Sequence, residues 1–188
     1  MVVRKIGLLL LLVLLVGLAA GCISDSHPSR TQTSGTATSG DYVVVNGTKI
    51  YLDKIHFYMY GMKTCPHCRR MHTLIPETYG NDSLTYYELV GNEENIELFR
   101  AQYNITGIGG VPAIAITYNG TIYALIEGEF NVSMTPKIIA VAMQNNGTVL
   151  FVRGKAYILP RTDPEVREDL KKLYEIYVEH RLPDNSTG

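Results

Sequence analysis

Residues 55–70 read IHFYMYGMKTCPHCRR, and this stretch decides how the rest of the chain is interpreted. Residues 55–60 alternate in side-chain character in the manner of a β-strand. Pro66 suits the first position of a helix, where its missing N–H would have no partner anyway. Cys65 and Cys68 then lie on one helical turn, with their sulfur atoms within bonding reach. A strand that delivers a Cys-x-x-Cys pair to the start of a helix favours a redox site over a structural disulfide or half of a metal site.

Hydrophobic periodicity and turn signals predict the other elements on both sides of this stretch. Asn46-Gly47 and Asn119-Gly120 are strong signals for two-residue hairpins. Strands are predicted at 42–45, 49–52, 55–60, 84–90, 113–118, 121–127, 148–152 and 155–159. Helices are predicted at 66–79, 92–103, 135–144 and 163–180. Pro76 is expected to kink the first helix or end its regular part. The residues available for the buried face of that helix are Met71, Leu74 and Ile75.

The order of these elements, the cysteine pair at a helix start and the proline that opens a later strand resemble the thioredoxin family. The resemblance covers about residues 54–146 and is carried most closely by residues 111–128, from Val-Pro-Ala-Ile-Ala-Ile through Asn-Gly to Gly. It implies a thioredoxin-like α/β fold with a mixed central sheet flanked by helices. An N-terminal hairpin and a C-terminal hairpin and helix are additions to it. It also implies a cis peptide bond from Val111 to Pro112, where these residues would bind an extended substrate beside the sulfur atoms.

The tetrapeptide Cys-Pro-His-Cys at 65–68, with Val111 before the second proline, is similar to that of the DsbA-type disulfide oxidases. Only 46 residues separate Cys65 from Pro112, which leaves no room for the helical insertion of that group. We therefore expect a thioredoxin-sized domain with a more oxidising active-site sequence. An oxidase or an isomerase is favoured over a reductant.

Disulfide exchange needs a thiolate, and Cys65 is expected to supply it as the attacking sulfur. The unpaired N–H groups and the positive dipole end of a helix N-terminus both favour this anion. Pro66 and His67 are expected to tune the redox potential, and Cys68 to act as the shielded resolving sulfur. No cofactor is expected beyond the redox-active disulfide of the two cysteines.

The chain departs from the thioredoxin and DsbA families at the strand before the cysteine pair. Those families bury an acidic residue there, whereas this strand carries Met59 at the matching spacing. Glu88 on the neighbouring predicted strand is a candidate proton acceptor for Cys68, although such a residue is also common at a solvated strand edge.

Two other functions are open at this point. Cys65, Cys68 and His72, with His67 nearby, have a spacing that could supply ligands to zinc or copper. No second cysteine pair is present to close a structural site, and Arg69 follows Cys68 where haem attachment would need a histidine. The third interpretation is a thioredoxin-like domain without catalytic activity that serves in protein interaction, but the presence of both cysteines argues against it.

The N-terminus predicts export and attachment to a membrane. A basic start and an apolar run form a signal peptide over residues 1–22, in which Cys22 resembles the lipidated cysteine of secreted lipoproteins. The alternative is an uncleaved membrane anchor. Residues 23–41 are rich in Ser, Thr and Gly and predict a flexible stalk, residues 42–182 form the domain, and residues 183–188 form a disordered tail.

Seven of the ten asparagines lie in Asn-x-Ser/Thr triplets, an enrichment that indicates an N-glycosylated surface. The candidate acceptors are Asn46, Asn81, Asn104, Asn119, Asn131, Asn146 and Asn185. We therefore expect an extracytoplasmic protein that is tethered to the cell membrane. Its expected partners are exported proteins with thiols or disulfides and a membrane redox partner. Nucleic acid is not an expected partner, because 17 basic and 18 acidic residues leave a net charge of −1.

Overall fold

The computed structural model describes residues 40–183, which contain eight β-strands and four α-helices. The strands are β1 (Tyr42–Val45), β2 (Thr48–Tyr51), β3 (Ile55–Gly61), β4 (Leu84–Glu88), β5 (Ala113–Tyr118), β6 (Thr121–Glu127), β7 (Gly147–Val152) and β8 (Lys155–Pro160). The helices are α1 (Pro66–Tyr79), α2 (Glu93–Thr106), α3 (Thr135–Gln144) and α4 (Pro164–Tyr177).

The helix ends follow from local side chains. The Asn92 side chain accepts a hydrogen bond from a backbone N–H of the first turn of α2, and Asp163 does the same for α4. These contacts satisfy N–H groups that have no partner within the helix. Gly107 ends α2 in the left-handed conformation at φ 73°, which a glycine adopts without a steric penalty.

Six strands form one mixed sheet in the order β4-β3-β5-β6-β7-β8. β3 and β4 pair in parallel across α1, and β6 and β7 pair in parallel across α3. The remaining neighbours in this sheet are antiparallel. Strands β1 and β2 form a separate two-stranded hairpin. The α/β class with a mixed sheet and the N-terminal hairpin are therefore confirmed.

Helices cover both faces of the sheet. Because successive strand residues point to opposite faces, β3 contributes Phe57 and Met59 to one hydrophobic cluster and Tyr60 to the other. The first cluster also holds buried residues of α1, α3 and β2, namely Met71, Ile75, Ile139, Ala142 and Ile50. The second holds those of α2 and α4, including Leu98, Leu170, Leu173 and Ile176. Each fully buried Ile, Leu or Met side chain stabilises the fold by about 1.5–3 kcal/mol.

The C-terminal hairpin extends the main sheet. Strand β7 pairs with β6 from Ala124↔Val149 to Ile126↔Phe151, and β8 then forms the outer edge. Arg153 and Gly154 connect the two strands with φ values of 52° and 72°, as a two-residue hairpin turn requires. The predicted hairpin and the amphipathic α4 are thus confirmed as elements, and both belong to the same layered structure.

The predicted burial of Leu74 is wrong. Leu74 lies on the solvent side of α1 with 38% of its surface exposed, because the buried positions of this helix are Cys68, Met71 and Ile75. Helix α1 continues through Pro76 to its predicted end at Tyr79, where the Pro76 carbonyl accepts the N–H of Gly80; a kink at Pro76 stays a prediction.

Three element ends differ from the prediction by two residues or more. Strand β4 ends at Glu88, two residues before the predicted end at 90, because the Glu88 carboxylate accepts the N–H of Val90 in the following turn. Helix α2 continues to Thr106, where Gly107 ends it. Helix α4 ends at Tyr177, short of the predicted end at 180.

The predicted signal peptide or anchor at 1–22, Cys22, nearly all of the stalk at 23–41, the sequon at Asn185 and residues 184–188 of the tail lie outside the described residues. Within residues 40–183, no helix has the length and apolar character needed to cross a bilayer.

Candidate functional site

The cysteine pair lies between the end of β3 and the first turn of α1. Cys65 directly precedes the helix with an extended backbone, at φ −79° and ψ 121°. Its sulfur accepts a hydrogen bond from the backbone N–H of Cys68 at 3.3 Å, and its own N–H donates to the carbonyl of Met62 at 2.9 Å. A helix N-terminus carries free N–H groups and partial positive charge, so this position favours a thiolate at Cys65. The predicted placement of the pair at a helix start is confirmed.

Gly61 allows the helix to pack closely against the strands. A Cβ atom at this position would lie 2.9 Å from the Tyr86 ring and 3.2 Å from the sulfur of Cys68. Neither distance leaves room for a methyl group without movement of the ring or the helix. Gly61 was not among the residues predicted for the site, and its position directly after the apolar strand was the signal for it.

The two sulfur atoms have different environments. Cys65 is partly exposed, whereas Cys68 is 1% exposed. Partial burial acts to raise the pKa of Cys65. Hydrogen bonds from the Cys68 side chain and from the N–H groups of Cys68 and His67 lower it, and so does the charge of Arg69. Together they leave the pKa of Cys65 below its ordinary value. Burial raises the pKa of the Cys68 thiol well above its ordinary value, and its hydrogen bond with Cys65 adds to the rise. Of the two thiols, Cys65 is therefore the one whose surroundings favour the thiolate.

Iodoacetamide at pH 7 is expected to modify Cys65 at least about a hundredfold faster than Cys68, because the thiolate is the reactive form. Since the pKa of Cys65 is lowered, its rate should rise with pH and level off below about pH 8.5, the value at which a free thiol titrates. Mass mapping of peptides after timed alkylation of the reduced protein measures both rates. Similar rates at the two cysteines would contradict the assignment.

Val111 and Pro112 lie opposite the cysteine pair. The peptide bond between them is cis, as predicted. The thiol of Cys65 donates to the carbonyl of Val111, with a sulfur-to-oxygen distance of 3.8 Å. Val111 is partly exposed, and Pro112 is buried. The structure thus brings together four residues that the sequence analysis selected: Cys65, Cys68, Val111 and Pro112.

Glu127, the last residue of β6, fixes the loop before Val111. One carboxylate oxygen accepts the N–H groups of Gly109 at 3.0 Å and Gly110 at 2.8 Å, and the other accepts the N–H of Arg153 at 2.7 Å. Although partial burial acts to raise its pKa, these bonds outweigh that effect and hold the pKa of Glu127 below its usual range. Glu127 was not predicted as a site residue, because the register Ala113↔Glu127 that places it beside the loop is a property of the folded hairpin.

Glu129 joins the first turn of α1 to the loop after β6. Its carboxylate contacts Nδ1 of His67 at 2.7 Å and accepts hydrogen bonds from Nε of Arg70 at 2.9 and 3.0 Å. The bonds from Arg70 and then His67 lower the pKa of Glu129 to about 2. His67 was expected to tune the redox potential of the pair. The structure places the carboxylate of Glu129 against it, a partner that was not predicted.

Glu88 lies on β4 beside Gly61. Its carboxylate accepts hydrogen bonds from the N–H groups of Lys63 and Val90 and from the hydroxyl of Tyr86. Partial burial acts to raise the pKa of Glu88, but these bonds together outweigh it and hold that pKa below its usual range, which makes Glu88 a weak base. Among the hydrogen bonds and ion pairs of residues 40–183, none joins Glu88 to Cys68, and the Tyr86 ring and the Cys68 sulfur both lie against Gly61. A role of Glu88 as proton acceptor stays a prediction.

The metal interpretation gains no support from the described part of the chain. No group of three or more His, Cys, Asp or Glu side chains within residues 40–183 is arranged to hold a metal ion. The ring of His72 lies edge-on against Tyr86 at 5.0 Å between centroids, and His67 contacts Glu129.

All six sequon asparagines within the described residues are exposed: Asn46, Asn81, Asn104, Asn119, Asn131 and Asn146. Asn46, Asn119 and Asn146 lie in turns with positive φ. Exposed turn positions are accessible to a glycosylating enzyme.

No protein-family model matches this chain, and no curated protein matches it.

Proposed function

We propose that this chain is a thioredoxin-like thiol–disulfide oxidoreductase that exchanges disulfides with protein substrates through Cys65 and Cys68. The asymmetry of the pair carries the proposal. One sulfur is accessible with a lowered pKa, the other is buried with a raised pKa, and the accessible one faces the backbone carbonyl of Val111. An accessible thiolate beside a shielded resolving thiol is the arrangement that disulfide exchange requires.

In the oxidising direction, the reaction starts from the Cys65–Cys68 disulfide. A substrate thiolate attacks the sulfur of Cys65, so a mixed disulfide forms as the Cys65–Cys68 bond breaks. The electron pair of that bond goes to the sulfur of Cys68, which takes up a proton because its thiol is the stable form. Val111 and Pro112 would hold the substrate backbone extended beside the mixed disulfide.

The second substrate thiolate then attacks the substrate sulfur of the mixed disulfide. Cys65 leaves as a thiolate, and its lowered pKa makes it a good leaving group. The substrate dithiol is thereby oxidised to a disulfide, and the enzyme disulfide is reduced to a dithiol. A membrane partner with its own disulfide would accept the two electrons and two protons and restore the oxidised enzyme.

The hydrogen bonds that favour the thiolate support the oxidising direction. A stabilised thiolate stabilises the reduced enzyme, and a stable reduced form makes the disulfide a stronger oxidant. Export and tethering by residues 1–22 would place the site where disulfides persist, and the exposed sequons are consistent with that location.

The reduction potential of the full-length protein tests this direction. Equilibration with glutathione redox buffers, followed by alkylation and mass analysis, is expected to give one two-electron transition with a potential above the −270 mV or so of thioredoxin. The oxidised protein should also convert a reduced dithiol peptide to its disulfide. A potential near that of thioredoxin would contradict the oxidase direction, and the absence of a two-electron transition between Cys65 and Cys68 would contradict the proposed function itself.

A further inference from the structure

A cavity of about 480 Å³ lies at the other end of β6 from Glu127 and the cysteine pair. The turn that begins β6, the segment after β8 and one side of α4 form its walls. The seven residues of β6 separate the two sites by about 20 Å along the strand. This volume is typical of a small-molecule site.

The charge of the lining is one-sided. Arg161, Arg167 and Lys171 line the cavity, and no acidic residue does. Among the ion pairs within residues 40–183, none includes any of these three cations. Lys172, the next residue on α4, is instead paired with Glu168 at 3.9 Å. In a chain with nearly equal numbers of basic and acidic residues, three cations without a carboxylate in one cavity point to an anion from outside the described fold.

Arg161 is held in place by neutral partners. Its Nε donates to the carbonyl of Gly147 at 3.3 Å, and one Nη donates to Thr148 Oγ1 at 3.0 Å and to the carbonyl of Ile122. The guanidinium also lies 5.1 Å from the centroid of the Tyr123 ring. Its other Nη has no hydrogen-bond acceptor among these contacts. The side chain is therefore fixed before any ligand arrives, which lowers the entropic cost of binding.

Burial without a neighbouring carboxylate lowers the pKa of Arg161. An anion in the cavity would stabilise the charged guanidinium that burial disfavours.

Arg167 and Lys171 lie one helical turn apart on α4, so their side chains are neighbours. Like charges at this spacing destabilise a helix unless a counter-ion lies between them. Both residues are exposed, and neither side chain takes part in a hydrogen bond or ion pair within residues 40–183. Their charges are thus available in the cavity that the guanidinium of Arg161 also lines.

We propose that this cavity binds the phosphoryl group of a phosphate ester. A guanidinium matches the paired oxygen atoms of a phosphate, and a lysine ammonium adds a mobile third contact. The remaining wall includes Ile122, Leu170 and Tyr174, which offers apolar surface to the organic part of the ester. A phospholipid headgroup and a soluble phosphate ester share this chemistry. The proposal does not depend on the redox activity.

Calorimetric titration of the full-length protein in detergent with pyrophosphate tests the site. Lys171→Gln is expected to weaken binding about fivefold, and Arg167→Gln with Lys171→Gln about twentyfold or more, because charge-assisted contacts are lost. Lys172→Gln is the matched control, since it removes the same charge one residue away on another side of α4, and it should change the affinity less than about twofold. Equal losses in the Lys171 and Lys172 variants, or no saturable binding to the unchanged protein, would overturn the proposal.

Hydrogen exchange distinguishes the two sources of phosphate. Full-length protein in vesicles of phosphatidylglycerol should show added protection over residues 167–174, relative to vesicles of phosphatidylcholine, if a lipid headgroup is the ligand. If a soluble ester is the ligand, pyrophosphate added to either vesicle should give that protection and the lipid should not. Protection in neither arm, or protection that Arg167→Gln with Lys171→Gln leaves unchanged, contradicts a phosphate site.

Discussion

Replacing Cys65 by serine is expected to abolish thiol–disulfide exchange, with a loss of about a thousandfold or more in the rate of dithiol-peptide oxidation. The reason is that a serine hydroxyl forms neither a disulfide nor a stable anion at neutral pH, while the remaining thiol of Cys68 is 1% exposed with a raised pKa. The fold should persist, because Cys65 is partly exposed and serine at this position can still cap α1.

Cys68→Ser is the matched variant for this experiment, and its expected behaviour is different. It keeps the nucleophile but lacks the resolving sulfur, so incubation with a disulfide-bonded substrate should accumulate a mixed disulfide at Cys65. Non-reducing electrophoresis and mass mapping identify that adduct, and circular dichroism of both variants checks the fold. Residual exchange in Cys65→Ser, or a mixed disulfide at Cys68 in that variant, would show that Cys65 is not the nucleophile.

Local signals predicted most of the fold. The Asn46-Gly47 and Asn119-Gly120 turns and the proline helix starts are set by a few neighbouring residues, and the structure contains those hairpins and helices. The pairing of β7 with β6 joins segments far apart in the chain, and no local pattern indicates it. The error at Leu74 has a related cause. Spacing places Leu74 beside the buried Ile75, and only the position of the sheet decides which of the two is covered.

The candidate site also contains residues that short motifs indicate and residues that only long-range contacts bring in. The cysteine pair is a short motif, and the resemblance that it supports also indicated Val111 and Pro112. Glu127 and Glu129 are contacts at long sequence separation, 17 residues from Gly110 and 62 from His67, and they depend on where the loops at the end of β6 meet α1 and β5. An acidic residue near a glycine in a loop is too common for its partner to be identified from sequence. Glu127 binds backbone N–H groups of the loop before Val111, and Glu129 binds the side chains of His67 and Arg70. A resemblance that is carried by short motifs does not identify such surrounding contacts.

Glu127→Ala is expected to reduce exchange with peptide substrates about tenfold in kcat/KM, while leaving alkylation of Cys65 within about twofold of the unchanged protein. The carboxylate holds three backbone N–H groups, two of them in the loop that leads to Val111. Removing it leaves those donors to water and frees the loop, with a loss of about 1–3 kcal/mol of stability. If the backbone of Val111 binds the substrate as proposed, a peptide needs it in place, whereas iodoacetamide needs only the thiolate.

Glu127→Gln separates the charge of this residue from its shape. The amide oxygen can still accept from Gly109 and Gly110, but the amide nitrogen would face the N–H of Arg153, so an intermediate loss of peptide exchange is expected.

The folded pKa of Glu127 is depressed, so its contribution to stability is present above the unfolded value of about 4.3 and is lost as the pH falls through the folded pKa. Urea unfolding between pH 7 and pH 3 should therefore show a smaller acid-dependent decrease in both variants than in the unchanged protein. If Glu127→Ala slows alkylation and peptide exchange equally, Glu127 acts on the reactivity of the Cys65 thiolate and not on the position of the Val111 loop. Unchanged peptide kinetics would show that the loop holds Val111 without this carboxylate.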